Sequence, residues 1–198
     1  IDNCKAIDCT LIGVKKVGAV VGYSAGSTVT NNYAENCTVI YSEKEGGEIL
    51  GYQNTGSTVS NNTANNVSVN QGVAVSTASE LSAALNKTYT EDTTVMLTKD
   101  ITLTGEWSEH SLDGRNNANL TINGNGKTIY GLTSTNYYSG NGFNSNGLVT
   151  NIGAGFSSVT FKNLTIDGAN LTNNGGQTAA TGVFVGDINT VNVTFDTC

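Results

Sequence analysis

The stretch GAVVGYSAGSTVTNNYAENCTV, Gly18 to Val39, returns as GEILGYQNTGSTVSNNTANNVSV, Gly47 to Val69. The opening glycines lie 29 residues apart, and the shared GSTV, at Gly26 and again at Gly56, lies 30 apart. A period of this length belongs to stacked architectures, in which each repeat covers only its neighbours. Each period holds three short alternating or β-branched segments set off by Gly and Asn, among them Glu48 to Leu50, Ser57 to Ser60 and Val67 to Val69. Three strands of about 4 to 6 residues plus corners fill about 30 residues, so the pattern predicts an all-β chain coiled as a parallel β-helix, a β-solenoid.

The same columns run further along the chain. Asp8-Cys9-Thr10-Leu11 aligns with Asn36-Cys37-Thr38-Val39 and Asn66-Val67-Ser68-Val69, with Ala6, Ala34 and Ala64 three residues upstream of the central position. Asn119-Leu120-Thr121-Ile122, Asn163-Leu164-Thr165-Ile166 and Thr197-Cys198 fit the template too, with Phe161 and Phe195 upstream. Period-2 alternation then predicts one interior stack of Leu120, Leu164, Cys198, Cys9, Cys37 and Val67, with Thr and Ser facing out. Three of the four cysteines become small buried hydrophobes in a column. Rungs about 4.8 Å apart bring Cys9 and Cys37 within reach, but parallel side chains in register lack the disulfide torsion, so free thiols are expected. No CxxC spacing occurs and His110 is the only histidine, which argues against zinc.

Composition narrows the class independently. Of 198 residues, 28 are Thr, 27 Asn and 24 Gly, and none is Pro. With 37% hydrophobic and 13% charged residues the chain is too apolar for charge-driven disorder, and it has too few helix formers for a bundle. Placed on rungs, Gly and Asn serve corners, Thr serves outward strand positions, and the absence of Pro leaves every ladder N–H available. A net charge of −7 disfavours nucleic acid and anionic membranes as partners. No run approaches the roughly 20 apolar residues of a membrane span, so no membrane insertion is expected.

One helix interrupts the β pattern. In VSTASELSAALNK, Thr77 and Glu80 form a capping box ahead of Leu81, Ala84 and Leu85 at helical spacing, predicting a short helix near residues 77–86. Such a helix covers the apolar end of a β-solenoid. Residues 1–72 therefore read as later rungs, and 73–198 as a cap followed by rungs open at the C-terminal end. The order suggests one unit of a tandem array, or copies stacking end to end with the Cys198 end of one covering the Ile1 end of the next. After the cap, Asn123-Gly124-Asn125-Gly126 is expected to turn a tight corner between strands.

The blocks Gly18 to Gly22 and Gly47 to Gly51, with the looser GVFVG at Gly182 to Gly186, resemble the GLUG repeat of bacterial surface proteins. ELSAAL, VMLTKDITLTG and NLTINGNGKTIYG are similar to the openings of pectate-lyase-like right-handed β-helices in secreted and cell-wall-attached bacterial proteins. The resemblance implies a right-handed helix, an extracellular or cell-surface setting and stalk or adhesin use, and it carries over no active site.

Catalysis on this scaffold requires carboxylates clustered with Lys, Arg or His on one face, or paired acids at glycosidase separation. The richest patch is Gly105 to Arg115, with Trp107, His110, three acids and the only Arg. A solvated linker with Trp107 packed over the helix cap is the preferred reading, because a single loop cannot bracket a scissile bond. Tyr137, Tyr138 and Phe143, in the irregular stretch where the Leu120-to-Leu164 pitch is 44, either stack on sugars or fold back as a cover. Leu171 to Thr181 reads as a third loop. Asp167 and Asp187 are weak calcium candidates without the acidic density required. The expectation is a non-catalytic structural and adhesive segment with no cofactor or metal, whose partners are further copies or a host or cell-wall glycan. The alternative is a carbohydrate-active domain using Trp107, Tyr137, Tyr138 and Phe143.

Overall fold

The computed structural model describes the chain except residues 109, 138–144, 175–179 and 190, and gives only the backbone of 136 and 137. The protein is mostly β, with one helix among the described residues, and its strands pair in parallel, as a β-helix requires. It divides into two compact units, Ile1–Ala74 and Val75–Cys198.

In the first unit, Lys5–Ile7, Tyr33–Glu35 and Thr63–Asn65 form one sheet, with Ala6 opposite Ala34 and Ala34 opposite Ala64. Thr10–Gly18, Thr38–Gly47 and Ser68–Val75 pair likewise, placing Leu11, Val39 and Val69 in a row. Val21–Ser24 joins Leu50–Gln53, and Thr28–Thr30 joins Thr58–Ser60. The corners come from left-handed residues: Asp8, Asn36 and Asn66 have φ of 53°, 51° and 50°. Asn and Asp tolerate that conformation because a short polar side chain can bond locally. Each corner turns the next residue inward, so Cys9, Cys37 and Val67 pack with Ala34 and Ile49. All four cysteines are free thiols, with Cys37 buried and Cys4 and Cys198 exposed. Cys198, the last residue, is exposed, and Thr197 before it has a left-handed φ of 55°, as at the corners before Cys9 and Cys37.

A second corner, at Asn3, Asn31 and Asn61, precedes a polar column. Asn32 Oδ1 accepts the Cys4 N–H at 3.0 Å, Asn62 Oδ1 accepts both the backbone and side-chain N–H of Asn32 at 2.9 Å, and Asn62 Nδ2 donates to the Val29 carbonyl. Asn32 is buried, and this side-chain ladder supplies the partners its polar groups need there. The glycine blocks have a steric cause. A Cβ on Gly18, Gly47 or Gly182 would collide with the carbonyl oxygen three residues ahead, of Val21, Leu50 and Val185 respectively.

The second unit is built on Thr93–Leu97, Ala118–Tyr130, Phe156–Asp167 and Asn192–Asp196, and on Thr88–Tyr89, Ser111–Gly114, Val149–Ile152 and Val185–Ile188. The register corrects the predicted column. Leu120 lies opposite Val159 and Ile122 opposite Phe161, whereas Leu164 lies opposite Lys127 and Ile166 opposite Ile129. Leu120 and Leu164 therefore occupy different columns, and the pitch between paired residues is not 44. The cause is a register shift between Asn123 and Lys127, where Asn125 and Gly126 have φ of 53° and 70°. The expected tight corner is a bulge inside the single strand Ala118–Tyr130. Leu171 to Thr181 is not a loop throughout, since Asn170–Asn174 pairs with Thr133–Tyr137 and Ala180–Thr181 with Ser145–Asn146.

The helix spans Ala78–Leu85 and buries Leu81, Ala84 and Leu85. Thr77 caps it, its hydroxyl accepting the Glu80 N–H at 3.2 Å. Glu80 reaches back to the N–H and hydroxyl of Ser76, one residue beyond the usual capping-box partner, and these bonds hold its carboxyl below the ordinary range.

Candidate functional site

The loop 105–115 directs its aromatic and imidazole groups inward. Trp107 is buried and its indole N–H donates to the Leu148 carbonyl at 2.9 Å. Its ring stacks on His110 at 4.3 Å and 18°. His110, fully buried, has Nδ1 2.6 Å from the Ser108 carbonyl, which can only accept, so the proton sits on Nδ1. Nε2 then accepts the Ser82 hydroxyl at 2.8 Å, which ties the loop to the capping helix. Burial pushes the His110 pKa below its ordinary value. Trp107, 9% exposed, packs beside the groups that hold the cap.

The acids around the loop also have structural partners. Glu106 accepts the Thr135 N–H at 2.7 Å and its hydroxyl at 3.2 Å. Asp113 accepts the Thr88 hydroxyl and pairs with Arg115. Outside the loop, Asp92 accepts the Asn119 N–H and Asp100 the Thr128 N–H, both at 2.8 Å. The bond from Asn119 holds the Asp92 carboxyl below its ordinary range. Three carboxylates thus complete the hydrogen bonding of backbone N–H groups at positions 119, 128 and 135, which proteins rarely leave unpaired. Glu109 lies outside the described residues.

Of the other aromatic candidates, Tyr137 has its backbone in Thr133–Tyr137, opposite Asn174. Tyr138 and Phe143 lie outside the described residues. Asp167 sits opposite Tyr130 and Asp187 opposite Asn151. Among the described residues no three His, Cys, Asp or Glu groups converge as a metal site would need.

An exposed aromatic group does exist, in the first unit. Tyr23 and Tyr52, one from each glycine block, stack at 5.9 Å and 7°, and the Lys16 ammonium lies 4.3 and 4.8 Å from their centroids. Its signal in the sequence was the Gly-Tyr pair repeated 29 residues apart, Gly22-Tyr23 and Gly51-Tyr52.

Residues 72–197 match the family model described as "Putative pectate lyase-like adhesive domain". No curated protein and no solved structure gives a significant match to the chain. The family match spans more than half of the 198 residues and takes in the helix, its cap and the strands Thr93–Leu97, Ala118–Tyr130, Phe156–Asp167 and Asn192–Asp196. The chain belongs to the pectate lyase-like adhesive domain family.

Proposed function

We propose that the chain is a non-catalytic structural and adhesive segment of an exported bacterial surface protein, a right-handed β-helix of about 30 residues per rung acting as a stiff spacer. The observation that carries this reading is the match of residues 72–197 to a family described as adhesive. The chemistry of the 105–115 loop supports it, because Trp107, His110, Glu106 and Asp113 are engaged by Leu148, Ser82, Thr135 and Thr88. A lyase or hydrolase needs such groups free to meet a substrate. The test is to coat beads with the chain, measure their retention on cell-wall and host-cell surfaces, and assay the same protein for polysaccharide depolymerisation. Retention without depolymerisation is the expected result; depolymerisation abolished by Glu106→Gln would establish the carbohydrate-active alternative.

Self-association belongs to the same reading. Phe195, on Asn192–Asp196, is 48% exposed, and Ile7, on Lys5–Ile7, is 49% exposed. Stacking the end near Cys198 on the end near Ile1 of another copy would cover exposed apolar side chains on both. Light scattering across a concentration series should show association that Phe195→Asp removes. A strict monomer at high concentration would end this part of the reading.

A further inference from the structure

We propose that Tyr23, Tyr52 and Lys16 form a binding platform for a saccharide that carries a carboxylate. The parallel pairing of Val21–Ser24 with Leu50–Gln53 sets Tyr23 opposite Tyr52. Tyr23 is 46% exposed, and Tyr52 is half-buried beside it. Flat aromatic surface of this kind takes up the C–H faces of sugar rings, and its hydroxyls hydrogen-bond to theirs. Asn54 Nδ2 donates to the Tyr23 hydroxyl oxygen at 2.9 Å, which leaves the Tyr23 O–H to donate outward.

The ammonium group sets the charge of the ligand. Lys15 is paired with Glu43 at 2.7 Å, but Lys16 has no carboxylate within ion-pair distance among the described residues. Its ammonium lies against two aromatic rings, which cannot satisfy all three N–H donors, so donors remain for an anion. A neutral sugar would leave the ammonium unused, and a bare anion would leave the rings unused. A carboxylated saccharide engages both.

The fold does not require this trio. Lys16 adopts φ of 58°, a left-handed conformation that is strained in a non-glycine residue. Two glycines make room for it: a Cβ on Gly22 would stand 2.7 Å from the Lys16 oxygen, and one on Gly51 would collide with the Lys16 carbonyl carbon. The register around Lys15–Lys44 and Val17–Gly46 brings Glu45 to the equivalent place in the next strand, so the corner accepts an acid as readily as a base. In the third glycine block, Asp187 follows Gly186 where the first two have tyrosine. The left-handed backbone thus belongs to the corner, while the side chains it presents are left free by the fold.

The platform deepens the adhesive reading, on which it rests for a carboxylated glycan being the partner met at a cell surface. Calorimetric titration of the full chain with sialyllactose, a hyaluronan tetrasaccharide and lactose tests it. Sialyllactose or the hyaluronan fragment should bind at least about tenfold more tightly than lactose, the gain of a charge-assisted contact. Which of the two acids binds identifies the source of the carboxylate. Lys16→Gly, which relieves the left-handed backbone, and Lys16→Gln should each erase the preference, and Tyr52→Ser should weaken all binding, with circular dichroism melts confirming the fold. Equal binding of lactose, a preference that survives both lysine variants, or no binding of any acid would overturn the platform. Bead retention persisting in that last case would leave the adhesive reading standing.

Discussion

The two units reach the same parallel pairing with opposite fillings. In Ile1–Ala74 the inward column is Ala6, Ala34 and Ala64, flanked by Cys9, Cys37 and Val67, and an asparagine ladder of buried Asn32 and half-buried Asn62 runs beside it. In Val75–Cys198 the position two before the corner residue Asn163 holds Phe161, fully buried, stacked on Phe195 at 5.2 Å and edge-on to Phe184 at 5.9 Å. Small residues in that column bury little apolar area, so beyond its buried Val29, Val39 and Ile40 the first unit leans more on backbone closeness and side-chain hydrogen bonds, and the second more on apolar volume. Truncations should therefore hurt one unit and polar deletions the other.

The largest effect is expected from Phe161→Ala, at about 3 to 5 kcal/mol, because the ring's neighbours cannot close the space it leaves. Hydrogen exchange resolved by residue should show the loss in Ala118–Tyr130 and Phe156–Asp167, with Thr38–Gly47 protected as before. Equal loss in both units would show that they unfold together and that the contrast in filling does not matter to stability. Next comes Asn32→Ala, expected at about 1 to 3 kcal/mol, since it strands the Cys4 and Asn62 partners in a buried column. Its signature is the mirror image, weakened exchange protection in the first unit alone.

Much of this contrast was legible in the sequence, and the illegible part has a physical cause. Asn36 before Cys37 and Asn66 before Val67 mark corner and interior because Asn is the residue that tolerates φ near +50°, and the spacing repeats. Asn119-Leu120-Thr121-Ile122 and Asn163-Leu164-Thr165-Ile166 match as text yet occupy different columns, because the bulge at Asn123 to Lys127 shifts the pairing and alternation cannot register a bulge. Trp107 lies among Ser, Glu and His, which reads as surface. Its burial is set by the Leu148 carbonyl, 41 residues later, a contact that no local pattern encodes. Tyr23 and Tyr52 were visible as a repeat, but only the 5.9 Å stack and the lysine beside it distinguish them from strand filler.

A smaller effect tests whether the helix holds the second unit's edge. Thr77→Ala removes the acceptor of the Glu80 N–H and should cost about 1 kcal/mol, read as a shift in the urea midpoint. Thr77→Ser should restore it. The first unit has no helix, so its exchange pattern should not respond, and a response there would mean that the cap stabilises the whole chain.

The finest distinction between the units is one of pH. His110, the chain's single histidine, lies in the second unit, buried between Ser82, Ser108 and Trp107, and burial holds its pKa below the ordinary 6.5. The unfolded chain therefore binds a proton at a higher pH than the folded one, so stability is complete above about 6.5 and falls as pH drops below it. The fall ends once the pH passes the lowered folded value, where both states are protonated. Carboxylates add their own loss at lower pH, and the Asp92 and Glu80 groups, held below their ordinary range, contribute stability that disappears only there. Urea midpoints collected from pH 7.5 down to about 5 isolate the histidine, since carboxylates titrate mostly below that window. His110→Gln should flatten the slope in that window while leaving the acid limb in place. A wild-type slope that persists in His110→Gln, or that appears equally in the exchange of Thr38–Gly47, would remove histidine burial as the cause and with it this last difference between the units.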